Sequence, residues 1–313
     1  MHADFLPEDI SKYMSYLLTL CDFPEPGEPI VCAVSGGSDS MAMMALAVYA
    51  GCSTSAVHVD HGLREGSDTE ADLVARWAHR WGVRFISKTV DVQDGAGLEA
   101  SARAARFAEL PQNVATGHTM DDQAETVLIN MMRGAGVDGM AGMLPGHLHP
   151  ILGIRKSDTV RLCEMLGVEF FNDPSNSDMS IVRNQVRHHL IPLLNSISGR
   201  DTVPVLAKQA SIMRDTADYL GRVVDAAEAD PQDCSQMREL DPYVAKLLIR
   251  SWLRDNETTD VSGGRGGSDR HPPIMSAVDR VMDVVNGRHV GTQVPGGFNV
   301  RRTRGRLHIS KQD

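Results

Sequence analysis

Residues 30–43, IVCAVSGGSDSMAM, connect a short apolar run to a helical pattern through two glycines, and this stretch decides the fold. The β-branched run is typical of a buried strand, and SMAMMALAVYAG (40–51) has the apolar spacing of a helix. A glycine-rich turn at this point is typical of phosphate binding, because the free N–H groups of a helix N-terminus face an anion. No lysine follows the glycines as in a Walker loop, and Asp39 lies among them instead.

Strand and helix patterns alternate as far as about residue 133. The apolar runs typical of strands occupy 29–34, 54–59, 83–90 and 113–118. Helical patterns lie between them at 40–51, 67–82 and 98–110. This alternation predicts an α/β fold, a doubly wound, Rossmann-like parallel sheet with helices on both faces. Ligands of such sheets bind at the carboxyl ends of the strands.

Polar clusters follow three of the four predicted strands. They are SGGSDS (35–40), DHGLR (60–64) and GHTMDD (117–122). Because the carboxyl ends of parallel strands meet at one edge of a sheet, these clusters predict a single site there.

The pattern changes after residue 140 and predicts a second domain. Helices are expected over 157–167, with Ser157 or Asp158 as cap, over 183–197, and as two or three segments within 202–255. Residues 261–273 form a glycine-rich linker pattern, and 298–310 alternate as a strand pair around an Arg-Gly turn. We predict a catalytic domain over 1–200 and a smaller, mainly helical domain over 201–313 that binds nucleic acid.

Composition limits the class of protein. The 313 residues carry a net charge of −10, but residues 180–313 have 19 basic and 16 acidic side chains, a balance that permits a nucleic-acid partner held mainly by the rear half. The five scattered cysteines include no C-x-x-C pair and indicate neither disulfides nor a zinc or iron–sulfur site. There is no signal sequence pattern and no run of about 18 apolar residues, so we expect a cytoplasmic protein without a membrane partner.

Asp39 indicates a metal. A carboxylate repels phosphate unless a divalent cation lies between them, so the loop predicts magnesium-bound ATP, with Mg²⁺ at its pyrophosphate group. The loop's backbone and hydroxyl donors come from Ser35, Gly36, Gly37, Ser38 and Ser40. The alternative is a serine-rich turn before a helix.

Two other pairs have spacings that suit a site. Asp122 and Glu125 lie three residues apart at a predicted helix start, on one face, although a capping carboxylate and a capping box are the alternatives. Arg183 and Arg187 lie at i and i+4, a spacing that suits a phosphate or carboxylate clamp, or else an exposed charged face.

SGGSDS resembles the signature of the PP-loop ATP pyrophosphatase family, whose members cleave ATP between its α and β phosphates. HVDHGLR, LEASARAARF, GHTMDDQAETVLINMMRGAG, PILGIRKSDT and RNQVRHHLIPLL follow in order, and together residues 29–197 resemble the tRNA(Ile)-lysidine synthetase family. The resemblance implies ligation of free L-lysine to C2 of the wobble cytidine in tRNA(Ile) with a CAU anticodon, through an adenylated intermediate. It leaves the oligomeric state open, a homodimer included.

The resemblance also implies roles for individual residues. The catalytic residues it implies are Asp39, Asp122, Glu125 and His118, with Asp39 and Asp122 on the metal and Asp60 and His61 as walls of the nucleotide pocket. The tRNA or lysine contacts it implies are Arg64, Arg103, Arg106, Arg133, Arg183 and Arg187, with Arg155 and Lys156 as similar candidates. His149 departs from the family, which usually has an arginine there.

Three alternatives use the same loop. A tRNA thiolation enzyme needs cysteines for a cluster or persulfide, and the cysteine spacing argues against it. A small-molecule amidating enzyme needs an ammonia source that the sequence does not indicate. A non-catalytic ATP-binding regulator has no need of several acids around phosphates.

Overall fold

A computed structural model describes residues 7–60, 67–89, 113–171, 173–257 and 275–311. The chain divides into two compact units, of which the first comprises Met1–Gly134 and Gly139–Ile212 and the second comprises Ala135–Asp138 and Met213–Asp313. The sequence-based boundary at residue 200 lies N-terminal to this division. Among the described residues, no helix is both long and apolar enough to cross a membrane.

The first unit is built on a parallel sheet. Its strands are β1 (Pro29–Ala33), β2 (Ser53–Asp60), β3 (Arg84–Thr89) and β4 (Val114–Ala115). Their spatial order is β3-β2-β1-β4, and every pair is parallel. The predicted α/β fold and the positions of all four strands are therefore confirmed, although β4 is only two residues long.

The central strand β1 is paired on both sides, since Cys32 lies opposite Ala56 of β2 and Ala115 of β4. The strand order reverses between β1 and β4, because the chain starts at β1, adds β2 and β3 on one side and then returns to the other. This is the place where open α/β sheets bind ligands.

The helices of the first unit surround that sheet. They are α1 (Glu8–Leu18), α2 (Ser38–Tyr49), α3 (Ser67–Trp81), α4 (Met120–Met132), α6 (Lys156–Leu166), α7 (Val182–Gln185) and α8 (Ile191–Ser198). α2 is the core helix, because the whole run from Met41 to Ala47 is inaccessible to solvent. The predicted helix over 98–110 lies outside the described residues.

Helix ends follow the sequence signals with two differences. Gly167 ends α6 in the left-handed conformation at φ 63°, as glycine does at many helix ends. The N-cap of α6 is Arg155, so neither Ser157 nor Asp158 is the N-cap. Asp158 lies at N3 and accepts the Arg155 N–H at 3.0 Å. The helix expected over 183–197 contains a π-helical turn (Val186–Leu190) between α7 and α8 and continues to Ser198.

The second unit combines helices with a small antiparallel sheet. Its helices are α10 (Cys234–Glu239), α11 (Pro242–Glu257) and α12 (Met275–Val285). The division between the units falls within α5 (Val137–Met140) and within α9 (Val203–Ala226). Its strands are β5 (Gly291–Val294), β6 (Phe298–Thr303) and β7 (Arg306–Lys311), in the order β5-β6-β7. The expected strand pair is confirmed, with Arg304 and Gly305 in its turn, and β5 and α12 add to it. The expected linker over 261–273 lies outside the described residues.

Candidate active site

The SGGSDS stretch forms a turn between β1 and α2 at the carboxyl edge of the sheet. Gly36 has φ 88°, a left-handed conformation that favours glycine, and Gly37 precedes the first residue of α2. Ser40 holds the turn together, because its hydroxyl donates to the Gly37 carbonyl at 2.9 Å and accepts the Ser35 N–H at 3.2 Å. The turn therefore presents the N-terminus of a buried helix at the strand end, which is a favourable place for an anion.

Phe171 covers the turn from the segment that follows α6. Its N–H donates to the Gly36 carbonyl at 2.9 Å, and a Cβ on Gly36 would lie 3.5 Å from its ring. No sequence pattern indicated this contact, which joins residues far apart in the chain.

Gly117 brings the GHTMDD cluster against the start of α2. A Cβ at this position would lie 3.0 Å from the carbonyl carbon of Asp39 and 3.0 Å from the nitrogen of Ser40. Real Cβ atoms rarely approach backbone this closely, so glycine allows the two clusters to touch. The predicted meeting of the first and fourth strand ends is thereby confirmed.

Asp39 is held by two side chains of α6. Lys156 Nζ donates to Oδ2 of Asp39 at 2.6 Å, and the hydroxyl of Thr159 donates to Oδ1 at 2.5 Å. Asp121 fixes the start of this helix, because it accepts the Lys156 N–H at 2.8 Å. The loop sequence has no lysine of the Walker type, and the structure places Lys156 of α6 beside the loop instead. The sequence named Lys156 with Arg155 as candidates similar to Arg183 and Arg187, and it did not indicate Thr159.

Asp122 both caps α4 and faces a cation. Its Oδ2 accepts from the N–H and the hydroxyl of Thr119 at 2.9 Å each, and its Oδ1 lies 3.3 Å from an Arg187 nitrogen. Burial favours the neutral carboxyl, but His118, the Thr119 N–H and Arg187 outweigh it and lower the pKa of Asp122. The capping alternative therefore applies to Asp122, and its second oxygen faces Arg187.

Glu125 lies one turn further along α4 and is fully buried. Arg187 contacts both of its oxygens, at 2.5 Å from Nε and 3.0 Å from a terminal nitrogen, and Arg183 lies 3.6 Å away. Burial raises the pKa of Glu125 despite these two arginines. The capping-box alternative for Glu125 is wrong, because Asp122 occupies the N3 position of that box.

Arg187 is the residue that joins the two acids, and it lies in the π-helical turn. Burial disfavours its charge, but the carboxylates of Glu125 and Asp122 outweigh burial and raise its pKa. π turns occur frequently at functional sites. The predicted spacing of Arg183 and Arg187 is confirmed as one face, which the structure turns toward Glu125.

His118 shares a hydroxyl with His149. The Nδ1 atoms of His118 and His149 lie 2.7 Å and 2.9 Å from Oγ1 of Thr116, and the two rings pack edge to face with centroids 5.1 Å apart. Burial lowers the pKa of His149. The sequence did not indicate Thr116, which lies in the loop after β4.

The remaining predicted residues fall into two groups. The side chains of Asp60, His61, Arg64, Arg103 and Arg106 lie outside the described part of the structure. Arg133 is exposed at the C-terminal cap of α4, and Arg155 pairs with Asp121 and Asp201.

Metal-binding side chains are sparse. Within the described ranges, no three His, Cys, Asp or Glu residues form a group that could hold a metal ion without further ligands. The five cysteines are all free thiols, and burial raises the pKa of Cys21, Cys32 and Cys163 to about 12. Such thiols are unreactive at neutral pH.

The first strand of the parallel sheet ends in a phosphate-type turn that contains an acid, Asp39. Two further acids, Asp122 and Glu125, lie on α4, the helix that follows the fourth strand. These features define a PP-loop nucleotide-binding domain. A model of that family, the PP-loop domain, matches residues 11–194. Over most of its length this chain also belongs to the tRNA(Ile)-lysidine synthase family. The tRNA(Ile)-lysidine synthase of Nocardia farcinica is 35% identical over 308 residues, which cover 92% of this chain and 94% of that protein.

Other relatives extend the same result. The tRNA(Ile)-lysidine synthase of Streptomyces coelicolor is 33% identical over 91% of this chain and 87% of its own length. Among solved structures, a U34-tRNA thiolase of Methanococcus maripaludis with a 4Fe-4S cluster aligns with a TM-score of 0.51, at 17% identity over 66% of this chain and 80% of that chain. At that identity the likeness shows the fold alone.

Proposed function

We propose that this protein is a ligase that joins L-lysine to C2 of the wobble cytidine in tRNA(Ile) with a CAU anticodon, using ATP. The observation that carries the proposal is similarity to tRNA(Ile)-lysidine synthases over nine-tenths of the chain, together with an acid in the phosphate-type turn. Lysidine is the product that the names of these relatives state.

The chemistry has two steps. In the first, the C2 carbonyl oxygen of cytidine attacks the α-phosphorus of ATP, the bond from that phosphorus to the bridging oxygen breaks, and pyrophosphate leaves. In the second, the ε-amine of lysine attacks C2, the C2–oxygen bond breaks, and AMP leaves with that oxygen while the amine gives up a proton. The C2 carbonyl oxygen is a poor leaving group by itself. Its adenylation in the first step converts it into a good one.

Phosphate charge in the first step is countered by donors of the turn and by one lysine. The amides at Gly36, Gly37 and the start of α2 face the strand edge, where an anion is favoured. Lys156 lies at the same place, with Nζ 2.6 Å from Asp39. We assign Lys156 to the β- and γ-phosphates, the part that a Walker lysine plays in other loops.

Magnesium is the cofactor that this arrangement suits. Asp39 and Asp122 are the carboxylates that would hold it, since both already attract cationic side chains, Lys156 and Arg187. Mg²⁺ commonly takes one or two protein carboxylates and completes its shell with phosphates and water, so a pair of carboxylates suits it. When bound it would supply positive charge at the phosphates.

Arg187 and His118 serve the reacting groups. Arg187 donates hydrogen bonds to both Asp122 and Glu125, and these two contacts orient its guanidinium. A guanidinium fixed in this way suits an anion such as the α-phosphate or the lysine carboxylate. His118 lies at the start of α4, within electrostatic reach of Asp122. We assign it to accept a proton from the lysine amine.

The tRNA is assigned mainly to the second unit. Its terminal sheet carries Arg301 and Arg304 on the exposed surface, and Arg304 occupies the turn between β6 and β7. Exposed arginines on a strand pair suit a phosphate backbone.

Two rival functions are separable by experiment. Thiolation requires a reactive thiol or cluster, whereas four of the five cysteines are buried. A regulator would bind ATP without turnover. Purified protein with ATP, magnesium and tRNA(Ile) is expected to release pyrophosphate only when that tRNA is present, and labelled lysine is expected to appear in the tRNA. Pyrophosphate without lysine transfer would favour thiolation, and nucleotide binding without pyrophosphate would favour a regulator.

A further inference from the structure

Thr116 connects three groups through one hydroxyl. Its Oγ1 lies 2.7 Å from Nδ1 of His118, 2.9 Å from Nδ1 of His149 and 3.2 Å from the carbonyl oxygen of Leu148. The Thr116 N–H also donates to that same Leu148 carbonyl at 2.9 Å, so the residue is fixed in place by its backbone.

The hydroxyl has one proton and two lone pairs, so these contacts constrain one another. The carbonyl oxygen of Leu148 can only accept a hydrogen bond. Its contact with the hydroxyl is therefore a hydrogen bond only if the Thr116 hydroxyl is the donor. Both imidazoles must then donate, each from an N–H at Nδ1. This is the one arrangement in which all three contacts are hydrogen bonds.

We propose that Thr116 and His149 are positioning residues that hold His118 as its Nδ1–H tautomer, which leaves Nε2 as the ring atom that takes up a proton. The inference rests on the proposed function in one respect, that His118 handles a proton in the reaction. A histidine that serves as a base must present a lone pair to its partner, and the second ring nitrogen sets which atom that is.

His149 is suited to this part by its surroundings. Its ring packs edge to face on His118, and it is half-buried. Burial lowers its pKa, so His149 is neutral at neutral pH and adds no positive charge beside His118. The single N–H of a neutral His149 ring fills one lone pair of the Thr116 oxygen, and the N–H of His118 fills the other.

The test is the tautomer itself. Long-range ¹H–¹⁵N correlation spectra of protein labelled with ¹⁵N-histidine distinguish a protonated from an unprotonated ring nitrogen, and the spectra of His118→Gln and His149→Gln identify the two residues. At about pH 7.5, where histidine is mostly neutral, we expect His118 protonated at Nδ1 and unprotonated at Nε2. Thr116→Val keeps the backbone hydrogen bond and removes the hydroxyl, so we expect the His118 signals to move toward the Nε2–H form.

Thr116→Ser is the matched control, because it keeps the hydroxyl, and we expect the wild-type signals. In turnover assays Thr116→Val is expected to lower kcat by about 10²-fold with an unchanged KM for ATP, since the histidine is misplaced while the nucleotide site is intact. The inference is overturned if wild-type His118 is an Nε2–H tautomer, or if Thr116→Val leaves its signals unchanged.

The spectra need no substrate, so they separate this inference from the proposed function. Wild-type protein that forms no lysidine but has His118 protonated at Nδ1 would overturn the function and leave the tautomer standing. Protein that forms lysidine with His118 as the Nε2–H tautomer would overturn the inference alone.

Discussion

Arg187 donates from Nε to Oε1 of Glu125 at 2.5 Å, although 62 positions separate the two residues in the chain. Glu125 is fully buried, so its charge depends on this guanidinium for compensation. The same arginine reaches Asp122 at 3.3 Å. One side chain therefore contributes to the charge compensation of both Asp122 and Glu125.

Removal of Arg187 is expected to destabilise the protein as well as inactivate it. Arg187→Leu leaves the buried Glu125 carboxylate with the more distant Arg183, 3.6 Å away. Removal of one partner from a buried ion pair costs about 3–5 kcal/mol in comparable cases. The free energy of unfolding, measured by urea denaturation, is the quantity to compare with wild type.

The double variant Glu125→Leu with Arg187→Met is the control for that experiment. Replacement of both partners by apolar side chains is often neutral for stability, so most of the lost free energy is expected to return while lysine transfer stays absent. An Arg187→Leu protein as stable as wild type would show that the pair does not hold the buried charge.

Gly117→Ala is expected to disturb the nucleotide turn through contact alone. The added Cβ would meet the backbone of Asp39 and Ser40 at about 3.0 Å, and such overpacking costs about 1–3 kcal/mol. We expect a lower melting temperature and a raised KM for ATP. Gly221→Ala is the matched control, since it lies exposed within α9 with nothing near its Cβ, and it should be neutral or stabilising. Equal effects of the two substitutions would contradict the close approach.

Lys156→Met is expected to slow pyrophosphate release by about 10²- to 10³-fold, as for loss of one charge-stabilising donor. Lys156→Arg should retain part of the activity, because it keeps the charge. Lys208→Met, at an exposed position of α9, is the control and should match wild type. Steady-state release of pyrophosphate with tRNA present measures all three. Full activity in Lys156→Met would remove this lysine from the phosphate site.

His149 makes stability depend on pH in a definite direction. Burial lowers its pKa from 6.5, so the unfolded state binds more protons below that value. The stabilising contribution is complete above pH 6.5 and is lost as the pH falls through the lowered folded pKa. The free energy of unfolding of His149→Gln should therefore converge on that of wild type toward acid pH. The exposed His147→Gln is the control, and parallel curves for wild type and His149→Gln would contradict the shift.

Arg301→Ala with Arg304→Ala is expected to weaken tRNA binding and to reduce its dependence on salt. Each lost phosphate contact lowers the slope of log affinity against log salt by about 0.7–0.9, so the double variant should lose about one to two units. Affinity for ATP should not change. Arg288→Ala, which removes a residue paired with Asp283, is the control. An unchanged slope would place the tRNA elsewhere.

The sheet could be predicted because its signals are local. β1 and α2 follow from one stretch of apolar residues and glycine, and β4 was found in position although only Val114 and Ala115 pair. Its length was overestimated, because Thr116 and Gly117 turn toward His149 and Asp39 instead of continuing the strand. Tertiary contact overrides local preference at such points.

The meeting of the first and fourth strand ends could be predicted from topology, but individual side-chain contacts could be predicted only where one motif contained both partners. Asp122 and Glu125 share a helix face, and spacing was enough to place them together. The contact of Lys156 with Asp39 joins residues 117 positions apart, and that of Thr159 joins residues 120 apart, so no window of sequence contains either. Pairing of Arg187 with Glu125 has the same cause.

The most direct test of the proposed reaction is the mass of the anticodon nucleotide. Transcribed tRNA(Ile) with a CAU anticodon is incubated with the purified protein, ATP, magnesium and lysine, digested to nucleosides and examined by mass spectrometry. We expect a wobble nucleoside heavier than cytidine by the mass of lysine less one water, and we expect no such nucleoside when Asp39→Ala replaces wild type. An unmodified cytidine, or a nucleoside in which sulfur replaces oxygen, would contradict it.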